Sequence, residues 1–191
     1  MLASGSPRRS ELLSRAGLSF EIAKPAIDES LRAGESASGY VRRLSREKAA
    51  AVLTRFPGAL VLAADTSVVV EGRVLGKPEN ARACVQMMGA LSGRSHQVLT
   101  GVTLRGSSAR DAITFVVRTR VEFDRIPRAW AQRYAATPEP YDKAGGYGLQ
   151  GAAGGFIRTI RGSVTNVVGL PMVEVLAALR ALGYPLPWSD A

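Results

Sequence analysis

One cysteine and one histidine are all that this chain of 191 residues offers for thiolate or imidazole chemistry. Cys84 alone excludes a disulfide framework and a cysteine-based zinc site, and His96 alone excludes a histidine metal cluster. A Ser–His–Asp or Cys–His nucleophilic centre has little support from so small a stock, and a lone histidine is more often structural than catalytic. Aromatic residues make up only 6% of the chain. Extended single-strand nucleic-acid binding wants stacking rings between its charges, so this scarcity argues against it. No apolar run reaches the ~20 residues of a membrane helix. Met1 is followed by LASGSPRR rather than by the basic and apolar regions of a secretory signal. The expectation is a cytoplasmic enzyme or binding protein with no membrane partner. There is no repeat and no low-complexity tail.

Acidic residues are also in deficit. Lys and Arg number 25 against 16 Asp and Glu, a formal charge of +9. Such a balance points to an anionic partner: nucleic acid, nucleotide or a phosphate surface. The basic residues come in short groups, Arg8-Arg9 and Arg42, Arg43, Arg46, Lys48, and not as one run. A nucleic-acid partner is therefore the weaker expectation. The length suits one domain, residues 1–191, or two lobes sharing one sheet, with enough chain to bury a core.

Glycine is abundant in one place. From Glu139 to Pro171 the chain reads EPYDKAGGYGLQGAAGGFIRTIRGSVTNVVGLP, with eight glycines after Lys143. Glycine costs backbone entropy, so this density needs a reason, and a backbone passing close to a ligand is one. Tyr141, Asp142, Lys143, Tyr147 and Gln150 add charge, hydrogen bonding and ring faces to the same stretch. A Gly-rich hairpin loop is the competing reading.

Elsewhere local signals alternate between strand and helix. Leu2-Ala3 ends a strand, Ser6 caps a helix and Pro7 opens it. Strand, Ser-Gly-Ser turn and helix N-terminus form an anion site, and Arg8 and Arg9 stand where the helix dipole disfavours cations. Misfits of that kind concentrate at functional sites. Phe20 to Ala26 reads as a strand, followed by Asp28-Glu29, a carboxylate pair able to hold a hard divalent cation or merely to form an acidic turn. Ser36 or Ser38 starts a helix to about Arg55, whose charged residues read as mostly a solvated face. Ala59 to Ala64 is an apolar run suited to a buried strand, ending in Asp65-Thr66, with Val68 to Val70 continuing beyond. A carboxylate at the end of a buried strand is a recurrent catalytic placement. Pro78 holds the chain after Lys77, and Asn80 caps a helix to Leu91. Val98 to Leu104 and Ala112 to Phe123 read as long paired strands. Pro127 to Ala135 reads as a short helix with Trp130 and Tyr134 in the core, and Phe156 to Ile160 as a strand. A last helix runs from Pro171 to Leu182.

Seven motifs occur in order: LASGSPRR at Leu2–Arg9, REKA at Arg46–Ala49, ADT at Ala64–Thr66, GKP at Gly76–Pro78, SGRSHQVLTG at Ser92–Gly101, EPYDKAGGYGLQG at Glu139–Gly151 and NVVGLP at Asn166–Pro171. Together they resemble the Maf family of nucleoside triphosphate pyrophosphatases over almost the whole chain, in particular the branch acting on dTTP and UTP. The resemblance implies a mixed α/β fold: an elongated twisted sheet with flanking helices and two lobes about a cleft, similar to inosine triphosphate pyrophosphatases. It implies a homodimer. It also implies Asp65 as the proton-accepting catalytic carboxylate, and Arg8, Thr66 and Gln150 as positions that tune nucleotide choice. Ser6, Arg9, Glu29, Lys48, Lys77 and Lys143 match other functional positions of the family. Two departures stand out: family members usually carry a few more residues before Leu2, and often Tyr where this chain has Val164.

The implied chemistry has a physical basis. Arg9, Lys48, Lys77 and Lys143 can neutralise a triphosphate through charge-assisted hydrogen bonds. Glu29 and Asp65, with waters, can hold Mg²⁺ or Mn²⁺ against phosphate oxygens. Asp65 can deprotonate a water that attacks the α-phosphorus. The alternatives are a pyrophosphatase for another canonical or modified nucleotide, such as 7-methyl-GTP, or a nucleic-acid-binding module.

Overall fold

A computed structural model describes residues 1–108 and 112–188 of the chain. Leu2–Ala3 forms β1, and a Ser-Gly-Ser turn leads into α1 (Pro7–Arg15). Ser6 has the extended backbone of an N-cap and Pro7 the first helical position, but the Ser6 side chain makes no cap hydrogen bond. The next helix, α2 (Ala37–Arg55), is capped by Ser36, whose Oγ accepts from Gly39 N at 3.1 Å. Its buried residues are Val41, Leu44, Ser45, Lys48, Ala49 and Val52, the spacing of one helical face. Then come β2 (Val61–Val70), β3 (Arg73–Leu75) and α3 (Ala81–Leu91), the last capped by Asn80 through Ala83 N at 2.9 Å. The chain continues with β4 (Ser95–Arg105), β5 (Ala112–Phe123) and α4 (Arg128–Ala135). Glu139–Asp142, Ala144–Gly146 and Ala152–Phe156 form three short 3-10 turns before β6 (Ile157–Arg161), α5 (Val164–Val168) and α6 (Met172–Ala181).

The six strands make one mixed sheet in the order β1-β2-β4-β5-β6, with β3 on β2. β1 runs parallel to β2, whereas β2–β3 and β5–β6 are antiparallel. The fold is α/β, a mixed sheet with flanking helices, as expected. Among the described residues no helix is long and apolar enough to cross a membrane.

The chain divides into two compact units. The first contains residues 1–65, 100–117 and 169–191. Here β2 alternates between two cores. Leu62 and Ala64 face Leu13 of α1 and Val175 and Leu179 of α6, while Val61 and Ala63 face Ala49 and Val52 of α2. β4 also meets α2 closely: a Cβ added to Gly101 would lie 2.2 Å from Val41 O, so only glycine fits. The second unit contains residues 66–99 and 118–168. Its core joins Val68 and Val70, Val98, Val121 and Phe123 to Cys84, Met88 and Leu91 of α3 and Ala131 and Tyr134 of α4. Tyr147 of the glycine stretch packs into the same core.

Three readings of the sequence need correction. Phe20–Ala26 is not a strand; a single bridge joins Ile22 to Leu2. β1 is two residues long and leaves no ladder to extend, and Pro25 lacks a donor. Trp130 is 56% exposed, because α4 turns Ala131, Tyr134 and Ala135 inward and leaves its neighbour on the flank. Finally, β2 does not end at Asp65 but runs through it.

Candidate active site

Asp65 lies in the middle of β2, on the strand face of Val61 and Ala63 that packs against α2. Lys48 occupies the same inward stripe of α2 as Ala49 and Val52. Helix register and strand register therefore bring lysine and aspartate together. Lys48 Nζ donates to Asp65 Oδ1 at 2.6 Å, with both side chains about nine-tenths buried. The same ammonium reaches Glu29 Oε1 at 2.9 Å, on an exposed loop. Two carboxylates from separate segments thus meet on one positive centre.

Arg9 completes the cluster. It is buried, and its Nε donates to Gly169 O at 2.9 Å and its Nη1 to Ser4 Oγ at 3.0 Å. Burial lowers the guanidinium pKa; the charges of Asp65 and Glu29 raise it, and that of Arg8 lowers it. Ser4 also accepts from Ser6 N at 3.2 Å, so one buried hydroxyl ties the turn to the arginine. Of the two cations that looked misplaced at the helix start, Arg9 feels the charges of Asp65 on β2 and of Glu29. The first turn of α1 carries no acidic residue to compete for its N–H groups.

Glu29 lies within a segment, residues 24–36, that has no helix or strand. Several bonds tie that segment to α2. Tyr40 OH donates to Glu29 O at 2.7 Å, and Arg43 Nη2 donates to Ser30 O at 2.9 Å. Arg43 also grips Glu35 through Nε and Nη2, both at 2.8 Å. Tyr40 and Arg43 were not singled out from the sequence, because their partners become visible only once the segment's path is known.

The other expected residues belong to the second unit. Thr66 follows Asp65 along β2 and is half-buried. Lys77 is exposed and is followed by buried Pro78. Gly145 N donates to Gly76 O at 2.9 Å, joining the segments that carry Lys77 and Lys143. Lys143 Nζ is paired with Asp142 and donates to Glu139 O. Gln150 is exposed, in a turn held by Glu139: Oε2 accepts from Ala152 N at 2.9 Å and Oε1 from Tyr134 OH at 3.1 Å. A Cβ on Gly151 would stand 2.1 Å from Glu139 Oε1, which explains that glycine. His96 is buried, and its Nε2 meets Tyr147 OH at 2.6 Å. The ring stands edge-on to Phe123 at 4.9 Å. Burial holds its pKa at about 4, which keeps the imidazole neutral. The glycine-rich stretch is therefore a chain of short turns pinned by side chains.

A family model described as Maf-like protein matches residues 1–182. The chain belongs to the Maf family. It is 49% identical over 192 residues to a dTTP/UTP pyrophosphatase of Anaeromyxobacter dehalogenans (strain 2CP-C), covering 100% of this chain and 97% of the relative. It is 49% identical over 188 residues to a protein of that name in Myxococcus xanthus (strain DK1622), covering 98% and 94%. The match to one in Acinetobacter baylyi is 46% over 179 residues, covering 94% and 97%. This Maf-family chain thus aligns with its relatives nearly end to end. The Lys48–Asp65–Glu29 centre and Arg9 all fall within the matched residues.

Proposed function

We propose that the protein hydrolyses dTTP and UTP to the nucleoside monophosphate and pyrophosphate. The observation that carries this reading is the buried Lys48–Asp65 pair, joined by Glu29 and faced by Arg9, in a chain whose full-length relatives are named dTTP/UTP pyrophosphatases. Asp65 is the proton acceptor. The oxygen of a water bonds to the α-phosphorus, its proton passes to the Asp65 carboxylate, and the bridging oxygen leaves with pyrophosphate. Lys48 fixes the rotamer of Asp65. Arg9, with Ser6 and the first-turn N–H groups of α1, binds phosphate oxygens. Lys77 and Lys143 are assigned to phosphate, and Arg8, Thr66 and Gln150 to the base, on the family resemblance alone.

A divalent cation fits the donor set. Glu29 and Asp65 converge on one ammonium, so they can share one positive charge. Two carboxylates plus water and phosphate oxygens are the ligands that Mg²⁺ or Mn²⁺ accepts. Among the described residues no cluster of three or more His, Cys, Asp or Glu offers a competing metal site. When bound, the ion would offset charge developing on the phosphate oxygens. The whole chain, 1–191, is read as one catalytic domain acting as a cytoplasmic homodimer.

The test is a panel of dTTP, UTP, CTP, GTP, ATP and 7-methyl-GTP, assayed for pyrophosphate with added Mg²⁺ or Mn²⁺ and again after exhaustive chelation. Pyrophosphate release from dTTP and UTP that disappears on chelation is expected. Orthophosphate as the product, or no turnover of either pyrimidine nucleotide, would sink the reading, and full activity after chelation would remove the metal from it.

A further inference from the structure

We infer that Arg43 is a positioning residue for the reaction, clamping the 28–35 segment so that Glu29 meets Lys48 and Asp65. The inference rests on the reading of Glu29 as a working carboxylate. Glu29 needs a clamp. Its side chain is half exposed, and its segment lacks a ladder or helix to hold it. An acid so placed would sweep through many rotamers and loop positions, whereas a phosphate or metal contact demands one.

One guanidinium supplies the restraint. Arg43 Nη2 holds Ser30 O at 2.9 Å, one residue beyond Glu29. Its Nε and Nη2 form a two-pronged bond to Glu35 at 2.8 Å each, near the other end of the segment. Nη1 reaches Glu47, one turn along α2, at 3.1 Å. The side chains of Arg43 and Glu35 are each 13% exposed, so water screens this pair far less than an ordinary surface bridge. Tyr40, one turn earlier on the same helix, holds Glu29 O at 2.7 Å, and its ring lies 5.5 Å from the Arg43 guanidinium carbon. Arg32, inside the segment, bonds Glu47 at 3.0 Å. The segment is thus fastened to α2, the helix that delivers Lys48. Lysine at position 43 would offer a point charge and could not grip Glu35 with two prongs while reaching Ser30 O.

The experiment compares kcat/KM on dTTP for the parent, Arg43→Lys, Glu29→Gln and the double variant, with Tyr40→Phe as an independent loosening of the same segment. Amide hydrogen exchange over residues 29–35 is measured on the same proteins. If Arg43 works through Glu29, Arg43→Lys lowers kcat/KM by about tenfold in the parent and by less than about twofold in the Glu29→Gln background, because coupled neighbours are not additive. Tyr40→Phe moves in the same direction, and both variants speed exchange across the segment. Equal losses in both backgrounds would mean that Arg43 supports the fold and not Glu29. Unchanged exchange in Arg43→Lys would show that there is no clamp. A parent that turned over no nucleoside triphosphate would bring down the functional reading and this role with it, a result that the exchange data keep separate from failure of the clamp.

Discussion

Replacing Lys48 by methionine tests the centre of the site. The change keeps the length of the side chain and removes its charge. Asp65 then remains a buried carboxylate, 10% exposed at the side chain, without the ammonium that stood 2.6 Å away. Breaking a buried ion pair from one side typically costs about 3–5 kcal/mol. The field of Arg9 still reaches Asp65, so the lower end, about 3 kcal/mol, is expected. At roughly 2–4 °C per kcal/mol for a chain of this size, Tm falls by about 6–12 °C. Asp65→Asn should cost less, about 1–2 kcal/mol, because Lys48 keeps Glu29 at 2.9 Å and that carboxylate is half in water.

The double variant Lys48→Met, Asp65→Leu decides the matter. It replaces both charges with apolar groups among Ala49, Val52 and Ala63, and buried pairs replaced in this way are often neutral or stabilising. Thermal unfolding followed by circular dichroism should therefore rank the parent and the double variant together, Asp65→Asn next and Lys48→Met lowest. All three variants should lose turnover of dTTP. A double variant as unstable as Lys48→Met alone would falsify the claim that the loss in Lys48→Met comes from a buried carboxylate left without its partner.

Two further predictions follow from packing and from charge. Gly101→Ala places a Cβ 2.2 Å from Val41 O and 2.4 Å from Val41 C, so α2 and β4 must part. The cost is about 1–3 kcal/mol, read as a lower urea midpoint, and an unchanged midpoint would show that the approach is looser than described. His96 titrates at about 4 when folded and near 6.5 when unfolded, so between these values the unfolded chain binds more protons. Stability is full above pH 6.5 and declines by up to about 3 kcal/mol as the pH falls towards 4. The difference between parent and His96→Gln across that window isolates this contribution, and parallel stability curves for the two proteins would refute it.

Much of the fold was legible because short-range rules decide it. Ser36 and Asn80 cap the helices they precede, Val41, Leu44 and Val52 recur at helical spacing and lie on the buried face of α2, and Val98–Leu104 and Ala112–Phe123 lie in long strands. Illegible features depend on partners distant in sequence. Phe20–Ala26 has the residues of a strand but only a two-residue neighbour to pair with. Arg43 reads as one more charge on a solvated helix until the 28–35 segment is seen to return across it. Lys48 lay in the buried stripe all along. Its charge suggested solvent, and only the family resemblance drew attention to it.

Asp65 shows why the local reading fails where charges are buried. An apolar run that meets an aspartate reads as a strand ending, because an unpaired carboxylate inside a sheet is costly. β2 nevertheless runs five residues past it, to Val70. What makes this tolerable lies elsewhere in the chain: the Lys48 ammonium 17 residues away, and the Arg9 guanidinium delivered by the first helix. Those cations cost desolvation in their turn, and Glu29 offsets part of it for Lys48. Apolar packing of similar volume is often no less stable, so stability alone does not account for the arrangement. What it adds is a carboxylate fixed by two cations, which is what the proposed attack of water on a phosphate anhydride would use.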